Sequence, residues 1–483
     1  MRTIIISKAF TPIIVASLVF ASLAKDTFAA AASHSYDVAV DKDLSRIEVT
    51  ARFAVHTDSV FARSANADHF LIAAEDCDSG RKILAQGRRL QLPDAGIRCL
   101  KYTIDLGKAA REDRRNDDLL DSNVVVSPSV WMWRPRLRDG DEIEVKLQLP
   151  EGVQVSLPWP TIGAQNNTYR MTTSPQSGSA IAAFGKFDIV VARVGNVDLP
   201  IVYLRSSDRR PSAPIIEWVR DNASNITLAY GRFPNPLARV VVLPQKNRRG
   251  DSAVQFGRVV RDGGETVELM VDPTQPIESF YDSWTATHEF SHLMLPYVHR
   301  DYRWISEGFA QYYQNILQAR AGRYTQQYAW QKLYDGLQRG HDSAPALSPN
   351  AAASADERDT RMKVYWSGAA LALLADTELR LRSGGEDSLD DVLDRFQRCC
   401  LPSPRTWSGI ELFARFDSLT ETPLFVDLYK QYAETPGFPA TSRILERLGI
   451  ELRGTDIHLR NDAELAEIRA ALTARRYTGR PGN

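Results

Sequence analysis

The chain has 483 residues, a formal net charge of −1 at pH 7 with 59 basic against 60 acidic side chains, and 43% hydrophobic residues. Its basic residues are scattered rather than gathered into a stripe, which argues against a nucleic-acid partner. So long a chain exceeds what one core organises and calls for two or three domains.

Met1-Arg2 and Lys8 precede the apolar run Ala9 to Ala24, and small residues follow around Ala29 to Ser33. A basic start, a short apolar core and an Ala-rich exit describe a secretory signal peptide, here assigned to residues 1–32. An uncleaved anchor is the alternative, weakened by Pro12 inside the run. No second long apolar run exists, so the mature chain is expected to be an exported, periplasmic or secreted protein without a membrane span. In such a compartment disulfides persist. Cys77 and Cys99 are expected to bridge, a closure worth about 3 kcal/mol. Cys399 and Cys400 are adjacent, a pair that bridges only with strain, and their state stays open.

Residues 33–160 read as β. Tyr36, Val38 and Val40 alternate with other residues, as do Ile47, Val49, Ala51, Phe53 and Val55, and later Ile143, Val145, Leu147 and Leu149. Period two buries one face of a strand, so an antiparallel sheet is expected, as part of a sandwich. Trp131, Trp133 and Trp159 suit its core better than a carbohydrate-binding face.

From 161 to 273 strands mix with one helix. Phe187 to Ala192, Ile201 to Leu204, Val240 to Leu243 and Thr266 to Val271 read as strands, and Ala213 to Asp221 as a helix. A sheet just ahead of a helix can wall a cleft, where edge backbone takes up an extended peptide by adding a strand.

That helix carries His288-Glu289-Phe290-Ser291-His292. With 3.6 residues per turn, His288 and His292 share a face and their imidazoles can converge on one tetrahedral metal. Glu289 lies one residue round, within reach of a water but poorly placed to ligate, and reads as a general base. The best placed downstream carboxylate for a third ligand is Glu307, in Trp304-Ile305-Ser306-Glu307-Gly308-Phe309. Two His and one Glu leave a fourth position open, the catalytic rather than structural arrangement for Zn2+. His299 and Asp301 lie between the ligands and read as a solvated loop, with a supporting role to the ligands as the alternative.

Beyond Ser306 the chain reads helical. Phe309, Tyr312, Tyr313, Ile316 and Leu317 recur at helical spacing, as do residues of Val364 to Leu381, Leu389 to Phe396, Leu424 to Tyr432 and Ala463 to Arg475. Ser343 to Asp359, rich in Ala, Ser, Pro and Asp, reads as a loop over the cleft or a linker.

The stretch from His288 to Tyr313 resembles the gluzincin metallopeptidases, and among them the glycyl aminopeptidase family, in its HEFSH and its W-I-S-E-G-F segment with a tyrosine pair. The likeness continues in Tyr365-Trp366-Ser367-Gly368-Ala369, in Ser383-Gly384-Gly385 and in Ser388-Leu389-Asp390-Asp391-Val392. The resemblance implies an α+β protein: an N-terminal antiparallel β domain (33–160), a thermolysin-like zinc peptidase domain (161–320) and a helical C-terminal domain (321–483). It implies zinc on His288, His292 and Glu307, Glu289 activating a zinc-bound water, Tyr365 bonding the oxyanion, and a peptide or protein substrate. An inactive zinc-binding relative that holds peptides or envelope partners is the alternative.

The sequence departs from the family in three ways. Only residues 293–306 separate His292 from Glu307, so the connection must be tight. Where the exopeptidases carry a glutamate for the substrate's free amine, this chain reads Phe256-Gly257-Arg258-Val259-Val260, with Glu265 and Glu268 the nearest acids. The residues after Leu452 are too few for the family's PDZ domain.

Overall fold

The computed structural model describes residues 31–113, 115, 120, 122–163, 167–173, 180–204, 213–247, 250–355, 357–421 and 423–475. Most of the expected signal peptide, residues 1–30, lies outside them. Among the described residues no helix is long and apolar enough to cross a membrane. Strands and helices segregate along the chain, giving an α+β fold.

The first sheet has six strands in the order Thr168–Thr172, Glu142–Gln148, Ser33–Val40, Arg46–Thr57, Ile97–Asp105, Leu71–Asp76. Its alternating residues point inward as expected, with Tyr36, Val38, Ile47, Val49, Ile143 and Val145 all buried. Val55 is the exception at 49% exposure, because the pairing of its strand with Ile97–Asp105 is irregular between Arg52 and Thr57. The expectation of a purely antiparallel sheet needs correcting. Ser33–Val40 pairs with Glu142–Gln148 in parallel, from Ser33 opposite Glu142 to Ala39 opposite Gln148. Period two reports which face is buried and is the same for both strand directions, so alternation alone could not reveal this pair. A three-stranded sheet of Gln154–Ser156, Ala182–Gly185 and Val124–Val126 contributes to the same core. Trp131, Trp133 and Trp159 are in that core at 0% exposure.

The second sheet runs Asp188–Val194, Val197–Tyr203, Arg239–Pro244, Glu265–Val271, Val254–Arg261. Its central strands are parallel, and the edge strand Val254–Arg261 is antiparallel to its neighbour. The helix Ala213–Tyr230 joins the second and third strands and is longer than periodicity suggested, burying Ile226 and Ala229 beyond Asp221. The turn between the last two strands seats this sheet against the first layer: a Cβ on Gly263, at φ +78, would lie 2.8 Å from Trp159.

Helices Arg303–Arg320, Gln326–Asp342, Arg361–Arg382 and Leu389–Cys400 share one core with the face of this sheet that the metal-motif helix covers. Ser343 to Asp359, expected as a loop, contains a helix, Pro349–Ala355. Its small side chains allow close packing: Ala352 and Ala353 are buried, and Asn350 accepts from Trp304 Nε1 at 2.7 Å. A hairpin of Ile450–Arg453 and Asp456–Leu459 interrupts the terminal helices. Cys77 is bonded to Cys99, and Cys399 to Cys400.

Candidate metal centre and cleft

The helix Thr285–Ser291 is buried on all but its opening residue, and His292 continues its path into a 3-10 turn, so both histidines keep the i, i+4 relation. The connection to Glu307 is tight as expected, and Trp407 holds it. The Trp407 N–H donates to Tyr297 O at 2.9 Å, and the His299 N–H donates back to Trp407 O at 2.9 Å. A 3-10 turn at Arg300–Tyr302 then leads into helix Arg303–Arg320, which carries Glu307 in its second turn.

Two glycines set how deeply that helix sits. It crosses helix Arg361–Arg382 where Gly308 faces Gly368. A Cβ on Gly308 would lie 2.2 Å from the Gly368 Cα, and one on Gly368 would lie 2.0 Å from Trp304 O. This backbone contact brings Glu307 and Tyr365 to the same place, because each stands within a turn of the crossing.

Ligand atoms of His288, His292 and Glu307 lie within 4.8 Å of one another. Glu307 Oε2 is 3.2 Å from His288 Nε2 and 3.5 Å from His292 Nε2. The other ring nitrogens are engaged: His288 Nδ1 with Gln314 Oε1 at 2.9 Å, and His292 Nδ1 with Ser306 Oγ at 3.0 Å. A carbonyl oxygen only accepts, so His288 Nδ1 donates to Gln314, and Nε2 is the nitrogen turned toward Glu307 and the centre. Gln314 and Ser306 were not foreseen as partners. Gln314 is seven residues beyond Glu307, on the same helix face, and this spacing is the signal that was there to read. His299 and Asp301 instead pair with each other at 3.2 Å, in solvent.

Burial raises the Glu307 carboxyl, but both imidazoles outweigh it and hold the group well below the usual carboxylate range. Glu289 experiences the reverse balance: burial pushes it up, only partly opposed by the two histidines. Burial likewise lifts the Tyr365 phenol, helped by the Glu307 and Glu289 charges. The Tyr365 ring stacks on His288 at 5.7 Å between centroids, and Trp284 meets the same imidazole edge-on at 5.2 Å.

The edge strand Val254–Arg261 was missed in the sequence as a strand, yet it forms the upper wall. It passes so close to the helix that a Cβ on Gly257 would lie 2.5 Å from Glu289 Cγ and 2.9 Å from Thr285 Cγ2. Cavities of about 770 Å³ and 300 Å³ lie along it, and Gly257, Glu289 and Tyr365 line both. Neither nearby acid is offered to the cleft. Glu268 bonds Arg258 at 2.7 Å and accepts from the Ile181 N–H, while Glu265 bonds Arg261 and Asn235, each at 2.6 Å.

No family profile and no curated protein matches the chain. Solved structures do. An aminopeptidase N family protein from Idiomarina loihiensis is similar over 87% of this chain and 79% of its own, with a TM-score of 0.61 at 12% identity. An M1 zinc metallopeptidase from Deinococcus radiodurans is similar over 84% of this chain and 94% of its own, with a TM-score of 0.48 at 15% identity. The chain therefore shares its overall fold with the aminopeptidase N family structure.

Proposed function

We propose that the protein is an exported zinc peptidase, with His288, His292 and Glu307 as ligands, Glu289 as general base and Tyr365 as oxyanion donor. The observation that carries this reading is the convergence of two imidazoles and a carboxylate, with the buried, raised Glu289 carboxyl on the histidines' helix. The donor set fits zinc: two neutral nitrogens and one anionic oxygen. Zinc supplies there a lowered pKa for water and polarisation of the scissile carbonyl.

The chain's own residues do the rest. An extended peptide adds to the free side of strand Val254–Arg261. Glu289 takes a proton from the attacking water and returns it to the leaving amine, a task suited to a carboxyl raised above its ordinary range. The Tyr365 phenol, kept protonated by its surroundings, donates to the developing oxyanion. An inactive peptide-binding relative has no use for a buried, unligated Glu289. Two disulfides are in keeping with export.

Because Gly257 lets the strand lie against the base, Gly257→Val is expected to lower kcat by about 10²-fold through displacement of Glu289, with metal content retained. Kinetics and metal analysis on the same preparation check this.

With Glu265 and Glu268 engaged by arginines, neither is offered to a substrate's free amine, and we assign internal cleavage over aminopeptidase action. N-terminal acetylation of a good peptide substrate is expected to change kcat/KM by less than about threefold. An enzyme anchored on the amine loses a charge-assisted hydrogen bond worth about 1.5–3 kcal/mol, roughly tenfold to a hundredfold.

A further inference from the structure

A further cavity, of about 500 Å³, lies away from the metal centre, between the first β layer and the 404–406 segment. Its lining includes Arg63, Arg134, Arg136 and Arg405, against the single acid Asp139.

Arg134 is the central feature. Its backbone is fixed by a two-way ladder with Phe61, N–H to O at 2.8 and 3.1 Å. The residue is only 8% exposed, yet among the described residues no carboxylate or carbonyl hydrogen-bonds its guanidinium. Burial and the Arg63 charge lower its pKa to about 10, with Asp262 only partly opposing them. Asp262 pairs with Arg63 across 3.9 Å. Arg405 pairs with Glu411 at 3.3 Å in solvent, and Arg136 stands over the Phe61 ring at 5.2 Å. Asp262 is one buried carboxylate shared between Arg63 and Arg134, so the lining keeps more guanidinium than carboxylate charge, and the planar fork of Arg134 matches a tetrahedral or planar oxyanion through paired N–H donors.

We propose that this cavity binds a small oxyanion of the phosphate or dicarboxylate class, with Arg134 at its floor and Arg63 and Arg136 beside it. The ion would join the first β layer to the segment leading into Trp407, which holds the connection between the metal ligands. The site stands independently of the peptidase reading.

Calorimetric titration of the full chain with inorganic phosphate, and separately with succinate, at constant ionic strength against chloride, tests it. Saturable binding of either is expected, the responding ligand identifying the class, with Kd raised at least about tenfold in Arg134→Gln. If circular dichroism shows that variant unfolded, Arg136→Gln, altered at an exposed position, serves for the same comparison. No heat beyond chloride for both ligands, or an unchanged Kd in the folded variant, overturns the proposal.

Discussion

Glu289→Gln is expected to keep the parental zinc content and lose peptide hydrolysis by about 10²–10⁴-fold in kcat. The substitution conserves the shape of a side chain packed within a cleft so narrow that an added methyl on Gly257 would collide with it. It leaves His288, His292 and Glu307 untouched, so the metal has no reason to leave. What it removes is the ability to accept a proton from water, since an amide has no basic oxygen at neutral pH. A variant that hydrolyses peptides as fast as the parent would show that another group is the base. Loss of zinc together with activity would show that Glu289 holds the site's shape rather than its proton.

The largest expected effect on stability lies beneath the centre. Tyr313, six residues beyond Glu307, donates to Asp390 at 2.9 Å, and Asp390 pairs with Arg320 at 2.9 Å with both side chains at 0% exposure. Arg380 lies 3.6 Å from Asp390 and pairs with Asp376, which accepts from Tyr312 at 2.8 Å. Removing one partner leaves a charge buried without compensation, so Asp390→Ala is expected to destabilise the fold by about 3–5 kcal/mol, read from denaturant unfolding. A loss below about 1 kcal/mol would mean that solvent reaches Arg320 in the variant.

The same residue fixes a pH dependence. Burial raises the Asp390 carboxyl, but Arg320 and its hydrogen bond outweigh it and hold the folded pKa below the ordinary value. The unfolded chain therefore binds this proton more readily. Asp390's contribution is whole above the unfolded pKa of about 4 and is lost as pH falls toward the folded value.

How much of this was legible in the sequence differs from element to element. His288, His292 and Glu289 were readable because helical spacing is a local rule that dictates which side chains share a face. Glu307 was readable as the next carboxylate opening a helix, but its depth depends on Gly308 against Gly368, a contact between residues sixty positions apart. Tyr365 rested on resemblance alone, and its position against His288 comes from that same crossing. Alternation showed the buried face of the first sheet but not that Ser33–Val40 and Glu142–Gln148 run parallel, since pairing direction depends on the long connection between them. The edge strand escaped notice because Phe256-Gly257-Arg258 lacks clean alternation: Gly257 gives up its side chain to let Glu289 in. Helix Pro349–Ala355 escaped because small residues that read as a loop in isolation are what close packing beside Trp304 requires.

The central claim is most directly tested by metal analysis of the purified protein, before and after dialysis against zinc. The account predicts one zinc per chain in the parent and a much weakened hold in Glu307→Ala, which removes the anionic ligand. A parent that contains no stoichiometric zinc and takes up none when it is added would contradict it.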